Sequence, residues 1–200
     1  MMTLMDHTPT KRLTTAQERL QYVNIDYNHT EHAPDLTSLR HRAFLPGAGT
    51  TYTPEYVFLL KSPCTLDTRA GETRRGVQYR MIEDLCTQAG ITDFYVTYLL
   101  KYEMHGDRDP RPLERNIALA YVREELSILD PRIVVLVGEG IHRLVLPEVP
   151  YAPWAHKVLH GRRSDYYALH DLLPARRSAR AYADLQDEFV HMADIIGSTR

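Results

Sequence analysis

Hydrophobic and polar positions follow two regular patterns after residue 50. Four short runs are rich in β-branched, aromatic and aliphatic residues, as strands are: EYVFLL (55–60), DFYVTYLL (93–100), RIVVLVG (132–138) and SDYYAL (164–169). Other segments carry apolar residues at helical spacing, at 76–90, 112–131, 139–146 and 178–197. Gly90 and Pro131 close the first two of these segments, as residues at helix C-termini do.

Strands that alternate with helices of this length predict βαβ units. Parallel neighbours need a crossover connection, and the crossover helices cover both faces of the sheet. Residues 51–200 are therefore predicted to form an α/β domain, a three-layer α/β/α sandwich with a mainly parallel four-stranded sheet. Residues 1–50 are more polar, with one predicted helix at 14–24, and are interpreted as an N-terminal extension.

The composition fits one globular domain: 44% of the 200 residues are hydrophobic, which suffices for a substantial core. No apolar run has the length of a membrane span and no cleavable leader is evident, so we expect a cytoplasmic protein. Cys64 and Cys86 lack CxxC spacing. The pairs His29/His32 and His156/His160 have two-point metal spacing but no evident third ligand, so neither a metal nor a cofactor is predicted.

Candidate site residues follow the strands, because ligands of open α/β sheets bind outside the carboxyl ends of the strands. His170 directly follows the fourth run and suits proton transfer or hydrogen bonding to developing negative charge. Gly138 and Gly140 open the helix after the third run, where backbone N–H groups can face an anion.

Arginine carries most of the positive charge, although the formal net charge is −2. The planar guanidinium suits bidentate phosphate contacts. The candidate phosphate ligands are Arg75, Arg176, Arg177 and Arg180, with Gly138 and Gly140. Arg75 lies in the loop TLDTRAGETRRG, which reads equally well as a phosphate-binding loop and as a plain surface loop.

Several of these segments together resemble the uracil-DNA glycosylase superfamily, especially its bacterial and archaeal iron-sulfur branch. The resemblance runs from Glu55 to Phe189 through LKSPC, GETRRG, VQYRMIEDLCTQAGI, YVTYLLK, GDRDP, DPRIVVLVG and YALHD, in the order and with the spacing of that family. It implies a glycosylase-like sandwich that binds DNA. The cysteines that ligate the iron-sulfur cluster have no counterparts, so no cluster is expected.

The departures from the family fall on the residues that carry its chemistry. The resemblance places the water-activating acid at Lys61, the base-stacking phenylalanine at Arg74 and the uracil-reading asparagine at Tyr98. His170 matches the family's histidine, although Asp171 replaces the proline that follows it. A lysine cannot replace a carboxylate base, and a tyrosine cannot reproduce the paired donor and acceptor of an amide.

The main functional prediction is cleavage of the N-glycosidic bond of a modified or non-uracil base in DNA by a rebuilt active site. Its catalytic candidates are His170, Lys61, Asp67 and Glu72, and its base-binding candidates are Tyr98, Arg74 and Cys64. An alternative is a catalytically inactive DNA-binding module. A second alternative is a small-molecule enzyme that uses Lys61 as a nucleophile.

Trp154, Arg162 and Arg163 lie between the third and fourth runs. An aromatic ring with neighbouring guanidinium groups is typical of a surface on which nucleic-acid bases stack. Packing of a loop tryptophan explains the same pattern equally well.

Overall fold

The computed structural model of the chain describes residues 15–29, 43–104 and 108–198. Its strands are β1 (Ala48–Gly49), β2 (Tyr56–Leu60), β3 (Phe94–Tyr98), β4 (Ile133–Val137), β5 (Val158–Leu159) and β6 (Asp165–Leu169). The helices are α1 (Ala16–His29), α2 (Thr65–Ala70), α3 (Val77–Gln88), α4 (Pro112–Leu129), α5 (Glu139–Val145), α6 (Tyr151–Trp154), α7 (Leu172–Ala175) and α8 (Ala179–Ser198). A 3-10 turn covers Thr73–Arg75.

The sheet is mixed and has the order β1-β3-β2-β4-β6-β5. The α/β class is confirmed, and β2, β3, β4 and β6 are mutually parallel as predicted. The prediction of four strands is wrong, because β1 and β5 add an antiparallel pairing at each edge. Each of these edge strands has only two residues, too few to produce an alternating sequence pattern.

The two central strands are buried on both faces. Every residue of β2 and of β4 is buried, as expected for continuous apolar runs in a parallel sheet. On one face Phe58 stacks on Phe189 of α8, with ring centroids 5.4 Å apart, and Ile82 of α3 joins the same cluster. On the other face Val134 packs with Val122 of α4. Helices therefore cover both faces of the sheet.

The described part of the first fifty residues contacts the rest of the molecule. Leu20 and Val23 of α1 pack against Val57 of β2. The hydroxyl of Tyr102 donates a 2.6 Å hydrogen bond to the Asn28 side chain. Strand β1 pairs with β3 and is therefore part of the sheet, whereas α1 packs against it.

A buried ion pair joins α4 to the end of β3. The Lys101 ammonium lies 2.7 Å from a carboxylate oxygen of Glu125, and both side chains are almost wholly buried. The same carboxylate accepts hydrogen bonds from the hydroxyls of Thr97 and Tyr95. Lys101 also contacts the Thr97 hydroxyl. Because the charges are paired and bonded, Lys101 serves the fold and not a ligand site.

Glu125→Ala is expected to lower the free energy of unfolding by about 3–5 kcal/mol, since it leaves the Lys101 charge buried without its partner. The double variant Lys101→Met, Glu125→Leu removes both charges and should recover most of that loss. Urea unfolding would measure both effects. Glu124→Ala, an exposed change on the same helix, is the control and should stay within about 0.5 kcal/mol. Equal losses of stability in Glu125→Ala and Glu124→Ala would contradict the importance of the buried Lys101–Glu125 pair.

Candidate functional site

The carboxyl ends of β2, β4 and β6 lie side by side. The topological switch point of the sheet lies between β2 and β4, because the chain first adds β3 on one side of β2 and then crosses to add β4 on the other. The Gly138 amide donates a 2.9 Å hydrogen bond to the Leu169 carbonyl, which joins the ends of β4 and β6. Lys61, Gly138 and His170 therefore follow neighbouring strands at one edge, where the sequence predicts the site.

His170 is held at this edge by Glu188 of α8. The His170 backbone amide donates a 3.2 Å hydrogen bond to one carboxylate oxygen of Glu188, and the Nδ1 atom of the imidazole contacts the other. The Glu188 side chain is 13% exposed and that of His170 is 58% exposed. A mostly buried carboxylate therefore orients a histidine whose ring remains accessible to a ligand.

A second histidine lies against the first. The His156 and His170 rings are 5.0 Å apart between centroids, and the His156 amide donates a 3.2 Å hydrogen bond to the Ala168 carbonyl of β6. The backbone φ angle of His156 is +63°, in the left-handed region that non-glycine residues seldom adopt. Ligand atoms of His156, His170 and Glu188 all lie within 4.8 Å of one another.

The sequence pairs His156 with His160, and the structure gives a different grouping. His160 is exposed, and its Nδ1 atom lies 3.2 Å from Asp165. No third ligand for His156 is evident from the sequence, but in the described residues His170 and Glu188 lie close enough to form a group of three with it. His32 lies outside the described residues, as does the side chain of His29.

A cavity of about 590 Å³ opens beside His170, within the size range of small-molecule sites. Its polar side chains are mostly acidic, and its lining comprises Glu139, Tyr151, His170, Asp171, Pro174, Ala181, Asp184, Leu185 and Glu188. We call this the His170 cavity. Four carboxylates on one cavity favour a cationic group over a phosphate.

Tyr151 forms an aromatic wall of the His170 cavity. Its hydroxyl donates a 3.2 Å hydrogen bond to the Leu169 carbonyl, and its ring lies edge-on to His170 at 6.4 Å. Burial, with the nearby charge of Glu188, raises the pKa of Tyr151 to about 12. Tyr151 therefore stays protonated at neutral pH.

A smaller crevice of about 70 Å³ lies at the switch point between β2 and β4. Lys61, Gly140 and Asp171 line it, and Asp171 also lines the His170 cavity, so the two spaces are neighbours. The Lys61 ammonium lies 3.7 Å from Asp109. Lys61 is thus near the predicted site, but it forms an ion pair there.

Gly138 does not present an open anion site at this edge. Its φ angle is +96°, and a Cβ atom added to it would lie 3.1 Å from the Asp171 carboxylate. A glycine is therefore needed for the close approach of Asp171. The Asp171 carboxylate beside Gly138 disfavours the predicted phosphate contact there, whereas the neighbour of Gly140 is the Lys61 side chain, 3.9 Å from a Cβ atom added to it.

Asp67 is fully buried and caps two helices. One carboxylate oxygen accepts a 2.9 Å hydrogen bond from the Cys64 amide, before α2, and the other accepts a 3.0 Å bond from the Gln78 amide in the first turn of α3. A Cβ atom on Gly76 would lie 2.6 Å from the same side chain. Asp67 thus satisfies amides at two helix N-termini, which gives it a structural role.

Tyr98 is also fully buried, in the cluster beneath α3, and presents no ring surface to a ligand. Burial, together with the charge of Asp67, raises the pKa of Tyr98. The predicted contact of Tyr98 with a base is therefore incompatible with this arrangement. Cys64 is half-buried, burial raises the pKa of its thiol, and its sulfur lies 3.8 Å from the Arg176 guanidinium.

The loop residues predicted for base and phosphate contacts are exposed. Arg75 pairs with Glu72 at 3.2 Å, so the candidate acid Glu72 faces solvent beside an arginine. Arg74 reaches the Gly49 carbonyl at 3.4 Å and lies 5.8 Å from the centre of the Tyr79 ring. Neither Glu72 nor Arg74 lines the His170 cavity.

The remaining arginines fall into two groups. Arg177 and Arg180 are exposed near the start of α8, close in sequence to the His170 edge. Arg162 and Arg163 lie instead beside Arg123 around a pocket of about 280 Å³. That pocket adjoins the amino ends of β4 and β6, away from His170. The side chain of Trp154 lies outside the described residues.

Glu188, His156 and Tyr151 were not predicted as site residues. The sequence does contain one signal for Glu188, because it is an acidic residue beside Leu185, Phe189 and Met192, the buried positions of an amphipathic helix. A carboxylate at such a position needs a partner. For His156 the signal is its spacing from His160, which indicates a metal ligand but not the neighbours that the structure gives it, since its position depends on its backbone conformation.

The fold and site thus define an α/β protein with a histidine and carboxylate centre at the carboxyl edge of a parallel sheet. Comparison of the sequence with models of known protein families and with curated proteins gives no match. No helix in the described ranges is long and apolar enough to cross a membrane.

Asp67→Ala is expected to lower the free energy of unfolding by about 2–4 kcal/mol, because two buried amides lose their acceptor. Asp184→Ala removes an exposed carboxylate and should change stability by no more than about 0.5 kcal/mol. Chemical unfolding followed by circular dichroism would measure both. A stable Asp67→Ala protein that has lost only ligand binding would contradict the structural role.

Acid should destabilise the start of α4, where Arg108 and the Arg111 amide bind the Glu114 carboxylate. Burial alone would raise the pKa of Glu114, but the bidentate Arg108 contact and the Arg111 amide outweigh it and lower that pKa. The ionised Glu114 carboxylate therefore stabilises the folded protein above its unfolded-state pKa of about 4.3. This stabilisation is lost as the pH falls through the lower pKa of Glu114 in the folded state.

Glu114→Gln should thus destabilise the protein at neutral pH by about 1–3 kcal/mol, with the difference from wild type shrinking below about pH 4. Thermal unfolding between neutral and acidic pH would test this. Exposed Glu148→Gln serves as control. A difference in stability between Glu114→Gln and the wild type that does not change with pH would contradict the stabilising role of the ionised Glu114 carboxylate.

Proposed function

We propose that the protein binds DNA and cleaves the N-glycosidic bond of a modified or non-uracil base, as a divergent uracil-DNA glycosylase-like α/β/α sandwich. One observation carries the proposal. His170, the residue matched to the family's histidine, is held by Glu188 beside a cavity of about 590 Å³ at the carboxyl end of a parallel strand. The catalytic centre proposed here consists of His170, Glu188 and Asp171.

His170 would stabilise the leaving base. Cleavage of the bond between sugar and base leaves negative charge on the base, which a hydrogen-bond donor at the reacting position stabilises. Contact with the Glu188 carboxylate favours a proton on Nδ1 and fixes the orientation of the ring. Nε2 is the ring nitrogen that Glu188 does not engage, and we assign the contact with the base to it. Donation from Nε2 requires the imidazolium form, in which Nδ1 donates to Glu188 and Nε2 donates to the departing base.

The carboxylates of the His170 cavity would stabilise the sugar. Glycosidic cleavage passes through an oxocarbenium-like transition state, whose positive charge a nearby carboxylate lowers in energy. Asp171, Asp184 and Glu139 line the cavity together with Glu188. These carboxylates offer a replacement for the acid lost at Lys61, whereas Asp67 is fully buried and Glu72 lies outside the cavity. Asp171 Oδ1 accepts a 2.8 Å hydrogen bond from the Leu173 amide, so we assign the contact with the sugar to Oδ2.

Exposed arginines outside the cavity, and not the cavity itself, are the groups that we assign to the phosphates of DNA. Acidic groups line the cavity, and exposed arginines that can contact phosphates flank it in sequence, namely Arg177 and Arg180. Tyr151 supplies an aromatic surface for a base extruded from the helix, in place of Tyr98. No specific contact favours a Schiff-base enzyme, because Lys61 is paired with Asp109.

Purified protein should release a base from at least one member of a panel of single-stranded and duplex oligonucleotides, each carrying one modified base. Hydroxymethyluracil, hypoxanthine and oxidised bases are the first to test, with uracil for comparison. Alkali-labile strand cleavage reports excision, and gel retardation reports binding.

His170→Ala should reduce the excision rate about 100-fold or more, which is the usual effect of removing a donor to developing charge. His191→Ala changes an exposed histidine of α8 and should leave the rate unchanged. Retardation that weakens with salt, without any cleavage, would contradict the enzymatic proposal and support the inactive DNA-binding module. Absence of both activities at low salt would exclude DNA as the ligand.

A further inference from the structure

The group formed by His156, His170 and Glu188 has the composition of a metal centre. Two imidazoles and one carboxylate are the protein ligands of one familiar kind of catalytic zinc site, in which a fourth position stays open to water or substrate. The ligand atoms here lie within 4.8 Å of one another. In a tetrahedral zinc site, with bonds of about 2.0–2.2 Å, they would lie roughly 3.3 Å apart, so only small side-chain movements are needed.

The fold brings the three residues together from separate elements. His156 follows α6, His170 ends β6 and Glu188 lies on α8. His156 is held by the hydrogen bond of its amide to the Ala168 carbonyl, and His170 and Glu188 are held together by the hydrogen bond of the His170 amide to the Glu188 carboxylate. Residue 155 also forms a parallel bridge to residue 168, which fixes the path of the chain into His156.

The left-handed backbone of His156 adds a second observation. A non-glycine residue at φ +63° is in a disfavoured backbone conformation, and such residues are concentrated at ligand sites. This conformation occurs where the His156 ring packs 5.0 Å from that of His170. His170 and Glu188 also line the acidic His170 cavity, through which a cation can reach them.

We propose that His156, His170 and Glu188 bind one divalent transition-metal ion of the zinc type, with an open coordination position toward the His170 cavity. Imidazole ligands favour zinc, cobalt, nickel and copper over magnesium or calcium, which prefer oxygen ligands. The site is formed by His170 and Glu188 with His156, and not by the pair His156/His160 that sequence spacing suggests.

One consequence rests on the proposed function. A His170 ring that ligates a metal is no longer available to orient toward the leaving base as the Glu188-bound imidazole does. Zinc is therefore expected to inhibit base excision by the wild-type protein, and removal of zinc by a chelator should restore it.

Binding of the metal alone provides the primary test. The full chain, freed of any histidine tag and of metal, is titrated with Zn²⁺ by calorimetry and with Co²⁺ by visible absorption, where a tetrahedral site gives intense bands. We expect one tight equivalent in the wild type. Glu188→Gln and His156→Asn should each weaken that binding by about 100-fold or more, since even loss of an outer-shell partner costs 10–100-fold.

His156→Asn is chosen because asparagine tolerates the left-handed backbone conformation better than most residues, so the fold should survive. The matched control is His160→Ala, which removes a neighbouring exposed histidine and should bind Zn²⁺ like the wild type. Circular dichroism would establish that all variants are folded.

Two outcomes overturn the metal site: a wild type that binds no Zn²⁺ at micromolar concentration, or equal affinities in wild type and folded His156→Asn. Both outcomes differ from the result that would contradict the proposed function. A protein that binds zinc as described but releases no base from any oligonucleotide supports the metal site and contradicts the glycosylase proposal.

Discussion

Burial of the central strands on both faces is the constraint on which the rest of the structure depends. Because every side chain of β2 and β4 is in the core, these strands offer no surface for polar chemistry along their length. Polar groups are accommodated where the strands end, and the parallel direction brings the carboxyl ends of β2, β4 and β6 to one edge. The position of Lys61, Gly138 and His170 follows from this, as does the need for helices that cover both faces.

Charged groups near that edge divide into those that serve the fold and those that remain accessible. Asp67 and the Lys101–Glu125 pair are buried, and their hydrogen-bonding atoms are used by backbone amides or by each other. Their hydrogen-bond partners within the protein account for these buried charged groups without a bound ligand. His170 differs, because one side of its ring meets a mostly buried carboxylate while the residue remains exposed to a cavity. That combination of a fixed ring and an open face distinguishes a candidate site from a structural cap.

The sequence predicts the order of strands and helices well, because long apolar runs and helical periodicity survive in the fold. It misses β1 and β5, whose two residues each pair only because neighbouring chain segments hold them at the sheet edges. It also assigns binding or catalytic roles to Tyr98 and Asp67, which the structure buries. Alignment with a family's motif places a residue along a strand, but whether its side chain reaches a ligand depends on how the neighbouring helix packs.

By itself the sequence determined the α/β class, the parallel core and the placement of His170 after the last parallel strand. Apolar periodicity is a local property, and strand direction follows from the alternation of strands and helices, so both can be recognised in a single sequence. Only the tertiary structure decided which groups surround that histidine. His156 reaches His170 through a left-handed backbone conformation, and Glu188 reaches it because α8 packs against the sheet with that position facing β6. Contacts between residues distant in sequence arise from packing and backbone torsion, which neither composition nor spacing encodes.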